Sequence, residues 1–243
     1  MWCVRNFFVS FIPRHVSNRI LLNIYHALAF FKVPRRIREK NYTVNCERLN
    51  SEKWDMWNDS SAYIENQNEW KNIRFGMGLH HNMSYSGCEV IASFNAWKAL
   101  KGSGTQEQMA KLIHDYETHG AALWGEFGTS PYAIEKYFKK NGFSVAAAYG
   151  DDYTAVDAID NTYKVMIATV YNDRNDITKQ IHTVCITVDL KKGYILHNAY
   201  IVNKSGAYVE NVPYGTLADA IGHISRYEPK LIYLIGIDYL FGD

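Results

Sequence analysis

Several absences narrow the class of this 243-residue chain before any motif is considered. Charge of one sign is missing: 26 Lys plus Arg stand against 25 Asp plus Glu, a formal charge of +1, so nothing in the overall balance draws the protein to a polyanion. No nucleic-acid partner is expected. Cysteine is sparse, and Cys3, Cys46, Cys88 and Cys185 lie far apart with no CxxC pair. That spacing excludes both a disulfide framework and a structural zinc site, and it points to a reducing, cytoplasmic setting. Long apolar runs are also lacking. The best, Ile20 to Phe31, is interrupted by Asn23 and His26 and falls short of the roughly 20 residues that cross a bilayer. No small-residue cleavage site follows it, which argues against a secretory signal. Repeats, low-complexity tracts and the GxGxxG and GxxxxGK[ST] phosphate-cradling spacings do not occur. What is present, 47% hydrophobic and 14% aromatic residues, is a globular composition.

Charge is uneven along the chain. Residues 1–40 carry eight Lys or Arg against Glu39 alone, a net +7, which leaves about −6 for the rest. Ser17 is placed to cap a helix with Ile20, Leu21, Ile24, Tyr25, Leu28 and Phe31 on one face, and Pro34 is expected to end it. Residues 1–40 thus form a basic amphipathic arm. Three roles suit it: contact with an anionic membrane surface, occlusion of an active site, or packing on the body of the protein. Residues 41–75 are polar and carry Trp54, Trp57 and Trp70 with little periodicity, as expected of a connector draped over a domain.

From residue 76 to 243 the pattern sharpens into one domain. Val90, Ile91, Phe94 and Trp97 recur at helical spacing up to Gly102, Thr105 with Gln108 makes a capping box, and Ser130-Pro131 and Asn141-Gly142 start and stop a third helix. Beyond Phe143 the period falls to two, predicting strands at 143–149, 163–171, 182–189, 194–198, 207–209 and 230–237, with a helix at 216–224 before the last. Helices first and strands later predict an α+β fold, a helical lobe packed against an antiparallel sheet lobe with a cleft between.

The chemistry is sought in that cleft. Cys88 follows Ser86-Gly87 at the first turn of an apolar helix, where the partial positive charge stabilises thiolate. Acyl transfer also needs a proton donor for the leaving group, the task to which His is best suited, and His182 opens the strand HTVCITV. Sixteen residues later Asn198 closes the next strand, where antiparallel pairing brings it beside His182 as an orienting third group.

Ser-Gly-Cys entering a helix, then a His-led strand, then Tyr194-Ile195-Leu196-His197-Asn198-Ala199-Tyr200 resembles the Cys, His and Asn blocks of papain-like cysteine peptidases. The Cys-to-His interval of 94 residues is similar to that of the compact bacterial branch, the bacteriocin-leader-processing and related stand-alone peptidase domains. The resemblance implies a papain-like fold, a peptide or amide substrate, no cofactor and no metal. It assigns Cys88 as nucleophile, His182 as general acid and base, and Asn198 as orienter. Asn82, standing where that family carries Gln six positions before the nucleophile, becomes an oxyanion donor beside the Cys88 N–H. Asn82 is one methylene shorter than Gln, and Glu89 places a carboxylate next to the thiol.

Other readings follow from the same residues. An acyltransferase uses the same triad, and a non-catalytic domain that keeps the cleft for a partner's extended strand is consistent with Asn82 and Glu89. His80, His81 and Cys88 are poor metal ligands together, because consecutive side chains diverge and no fourth ligand stands at a usual spacing. Cys185 alternates with His182 and belongs to packing. The stretch from Trp124 to Pro131, with two glycines, reads equally as a cleft wall or as a connector with unusual backbone angles.

Overall fold

The computed structural model describes residues 17–51, 55–57, 59–172, 181–201, 205, 209, 211–225 and 230–240. Cys3, Arg5, Arg14, Trp54 and most of the strand expected at 207–209 lie outside them. The described residues form an α+β fold built on a six-stranded antiparallel sheet. Its strands are β1 (Phe143–Tyr149), β2 (Val165–Tyr171), β3 (Ile181–Asp189), β4 (Gly193–His197), β5 (Pro213–Tyr214) and β6 (Leu231–Tyr239), in the spatial order β1-β6-β2-β3-β4-β5.

Helices α1 (Asn18–Leu28), α2 (Arg35–Ser51), α3 (Met83–Ser86), α4 (Cys88–Lys101), α5 (Gln106–His119) and α6 (Pro131–Lys140) precede the sheet in the chain. Their ends follow local chemistry. The Ser17 and Thr105 hydroxyls accept from the Ile20 and Gln108 backbone, the capping box at Thr105 is complete, and Gly102 stops α4 at φ +71°. Two helices inserted among the strands, α7 (Tyr153–Thr162) and α8 (Leu217–Ile224), cover the second face of the sheet. Strand alternation divides the apolar side chains accordingly. Ile167, Cys185 and Ile235 join the core shared with α4, α5 and α6, whereas Ala168, Val184 and Leu234 join the core under α7 and α8.

Two expectations are corrected. Pro34 does not end the first helix, which stops at Leu28; its carbonyl instead accepts from Ile37 and Arg38 and opens α2. Helix α2 runs through the boundary drawn at residues 40 and 41, because nothing between Arg35 and Ser51 breaks it. Both N-terminal helices pack on the body. Leu21, Leu22, Tyr25, Leu28 and Leu49 enter the main core, and Asn41 donates to the buried carboxyl of Glu117 and to the Gly76 carbonyl. Helix α7 escaped the sequence reading, although Asp152 caps it by accepting from the Ala155 N–H.

Candidate active site

Gly87 joins α3 to α4 so tightly that a Cβ there would meet the Met83 carbonyl oxygen at 2.6 Å. That approach puts Cys88 on the first turn of α4, 8% exposed. The expected thiolate is not what this environment favours. Burial and the neighbouring Glu89 carboxylate push the thiol well above the usual cysteine range, opposed by the Thr183 N–H against the sulfur. A helix terminus supplies about 0.3–1 kcal/mol to a charge, too little to offset desolvation and a like-charged neighbour.

Glu89 is 1% exposed and pushed up to about 7 by burial. Its Oε2 accepts from the Thr129 N–H at 3.3 Å, and its own backbone N–H, the Cys88 thiol and the Thr129 and Thr183 donors oppose that rise. Gly128, at φ +73°, makes room for it: a Cβ there would stand 2.8 Å from Oε2. The stretch from Trp124 to Pro131 therefore borders Glu89 and contains Trp124, Gly125 and Gly128 in left-handed conformations, as is Leu123 just before it. Tyr25 of α1, 3% exposed, packs edge-on to Phe127, and burial, with the charges of Glu89 and Cys88 adding to it, pushes its phenol up.

His182 lies one residue before Thr183 on β3. Its Nε2 meets the backbone carbonyl of Asn198 at 2.8 Å, and its ring lies 5.2 Å from that of Tyr200. A carbonyl only accepts, so Nε2 carries the hydrogen and Nδ1 keeps its lone pair. Burial depresses the imidazole below its ordinary range, with the Asn198 carbonyl opposing. Cys88 and His182 are not hydrogen-bonded to each other among the described residues.

Asn198 differs from its expected role in one respect: the group that meets His182 is its main chain. The side chain is committed elsewhere, Oδ1 accepting from the Gln67 N–H at 2.9 Å and Nδ2 donating to Gln67 Oε1 at 3.1 Å. Glu65 holds the same turn, with Oε2 accepting from the Asn198 N–H at 2.9 Å and Oε1 2.6 Å from Nδ1 of His197. These contacts fix Asn198 at φ +63°, a conformation that Asn tolerates better than most residues. Gln67 also donates to the Met83 and Ser84 carbonyls, tying the His182 side of the site to the turn that carries Cys88.

Asn82 is corrected more fully. Its Oδ1 caps α3 by accepting from the Tyr85 N–H, and its Nδ2 donates to the His80 carbonyl at 2.8 Å, so the local backbone engages both ends of the amide. Being one methylene shorter than Gln keeps this side chain on its own backbone. Sequence reasoning missed Glu65 and Gln67, which stand in an aperiodic stretch. Near Tyr200 a recess of about 400 Å³ is lined by Glu65, Glu69, Leu196 and Ile201. Among the described residues no cluster of three or more His, Cys, Asp or Glu could hold a metal ion, and no helix is long and apolar enough to cross a membrane.

No family model matches the chain, and no curated protein matches it.

Proposed function

We propose that the chain is a cysteine hydrolase of papain-like build, acting on a peptide or related amide bond, and that α1 holds it in a covered resting state. The observation that carries this reading is the packing of α4, which opens with the buried Cys88, against β3, whose His182 has its Nε2 fixed by the Asn198 carbonyl. Nδ1 is then the basic atom. In the reaction the thiol proton passes to Nδ1 as sulfur bonds to the substrate carbonyl carbon. The same proton goes to the departing amine, leaving a thioester. Water then attacks, giving its proton to Nδ1, and the collapsing intermediate returns the acid and the thiol. The backbone N–H of Cys88, at a helix N-terminus, is the oxyanion donor retained in this proposal; Asn82 is not.

A non-catalytic, peptide-holding domain is the second reading, favoured by the burial and Glu89 charge that keep the Cys88 thiol neutral. Iodoacetamide labelling of the intact protein near neutral pH, followed by mass spectrometry, separates the two. For an enzyme, Cys88 is modified ahead of Cys185, His182→Ala slows that modification, and Cys88→Ala abolishes hydrolysis of a mixed peptide substrate pool. Equal, slow labelling of Cys88 and Cys185, unmoved by His182→Ala, together with no hydrolysis, would establish the binding domain instead.

A further inference from the structure

We propose that His197 is a positioning residue for His182, acting through Glu65 and the Asn198 main chain. The inference rests on the reading of His182 as the base of the reaction and adds what holds that base in place. Four contacts run in sequence. The Thr187 hydroxyl lies 2.9 Å from His197 Nε2, and His197 Nδ1 lies 2.6 Å from Glu65 Oε1. The Asn198 N–H then donates to Glu65 Oε2 at 2.9 Å, and the Asn198 carbonyl meets His182 Nε2 at 2.8 Å. The ring of Tyr63 stacks on that of His197 at 3.9 Å, so the imidazole is held on its face as well as at both nitrogens. His197 and Asn198 are both buried, which leaves neither free to reorient into solvent.

The backbone explains why a carboxyl is needed there. Pairing of β4 with β3 ends at His197, opposite Cys185, so the Asn198 N–H lies beyond the ladder and Glu65 supplies its acceptor. Glu65 holds the main chain of Asn198 while Gln67 holds its side chain, and the two together keep the residue at φ +63° with its carbonyl on His182. A carboxylate only accepts, so His197 bears a hydrogen on Nδ1 whether its ring is neutral or charged, whereas His182 bears its own on Nε2. Without the His197 donor, Glu65 Oε1 is left unpaired and the carboxyl is free to turn from Asn198. His182 then loses the fixed carbonyl that selects its tautomer.

The test is nitrogen-15 NMR of the histidine rings in the full chain, which reports the ring nitrogen that carries hydrogen and does not depend on turnover. Signals of His182 and His197 are assigned by their loss in the corresponding Ala variants. In the wild-type protein His182 should carry hydrogen on Nε2 and His197 on Nδ1. Hydrogen on Nε2 alone at His197 would remove the donor to Glu65 and overturn the proposal with no variant needed. In His197→Ala the His182 signals should move to the averaged pattern of an exchanging ring. Iodoacetamide labelling of Cys88 should slow by about tenfold, a misplaced group costing up to about 10²-fold, with Cys185 as control for general opening. His197→Asn keeps an amide donor for Glu65, and Glu65→Gln keeps an oxygen for the Asn198 N–H, so both should recover most of the wild-type behaviour, whereas Glu65→Ala should not. An unchanged His182 pattern in His197→Ala and Glu65→Ala would reduce His197 to packing, and equal losses in the Ala and conservative variants would make its role general stability; either overturns the proposal. The expected tautomers and their loss in His197→Ala, with no hydrolysis by the wild type, sink the hydrolase reading alone. Hydrolysis that persists in His197→Ala with His182 unmoved sinks this one alone.

Discussion

Two segments that precede the main domain in the chain reach the site from different sides, and they are built differently. Helix α1 brings apolar surface and one phenol into the core near Cys88: Tyr25 packs edge-on to Phe127 and, with Leu21, Leu22 and Leu28, belongs to the main core. The stretch around Glu65 and Gln67 brings hydrogen bonds to the Asn198 turn and to the Met83 and Ser84 carbonyls, and Gln67 makes two of each. Apolar contact is non-directional and can be withdrawn without leaving a buried polar group unpaired. A buried hydrogen-bond network cannot. The first segment has the physics of a cover and the second that of a buttress.

Removing the cover should have the largest effect. Tyr25→Ala empties a buried aromatic site, a change that typically costs about 3–5 kcal/mol, measurable by denaturant unfolding. Under conditions where the protein remains folded, Cys88 should become more reactive towards iodoacetamide while Cys185, buried in the core beneath α4, remains protected. If both cysteines gain together, the helix is simply part of the core and covers nothing in particular.

Breaking the buttress should cost less and act in the opposite direction. Gln67→Ala strands the Asn198 amide and the Met83 and Ser84 carbonyls, a loss of about 1–3 kcal/mol. With the Asn198 turn loosened, its carbonyl no longer fixes His182 Nε2, so Cys88 labelling and any hydrolysis should both fall. Faster labelling of Cys88 in Gln67→Ala would erase the distinction between the two segments.

The same contrast explains which features were legible in the sequence. Local signals were read correctly wherever short-range chemistry decides the outcome: the Thr105 capping box, the Gly102 stop, the start at Ser130-Pro131, the strand at 143–149, and the strand expected at 182–189, which begins one residue earlier at Ile181. The Cys88, His182 and Asn198 order was equally plain. The long-range polar contacts were not. Gln67 lies 131 residues from Asn198, in a stretch without periodicity, and no spacing rule anticipates that Asn198 would meet His182 with its carbonyl while its amide turns to a glutamine. The state of the thiol was misjudged for a related reason. Position at a helix N-terminus is visible in a sequence, whereas the burial of Cys88 and the fit of Glu89 against Gly128 depend on how distant segments meet.

The smallest effect should come from Asn82, on the platform where the buttress stands, since the Met83 and Ser84 carbonyls that receive Gln67 belong to the helix it caps. Asn82→Ala should cost about 0.5–2 kcal/mol, as the loss of an N-cap does, and Asn82→Ser should recover most of it because Ser caps nearly as well. An oxyanion donor behaves otherwise: neither Ala nor Ser replaces an amide N–H, and turnover would drop by about 10² to 10³ in both variants while stability tracked the cap. Stability and turnover measured on the same pair therefore separate the two roles. Restoration of both by Ser is expected, because the Asn82 Nδ2 donates to the His80 carbonyl and its oxygen accepts from the Tyr85 N–H, as a cap does.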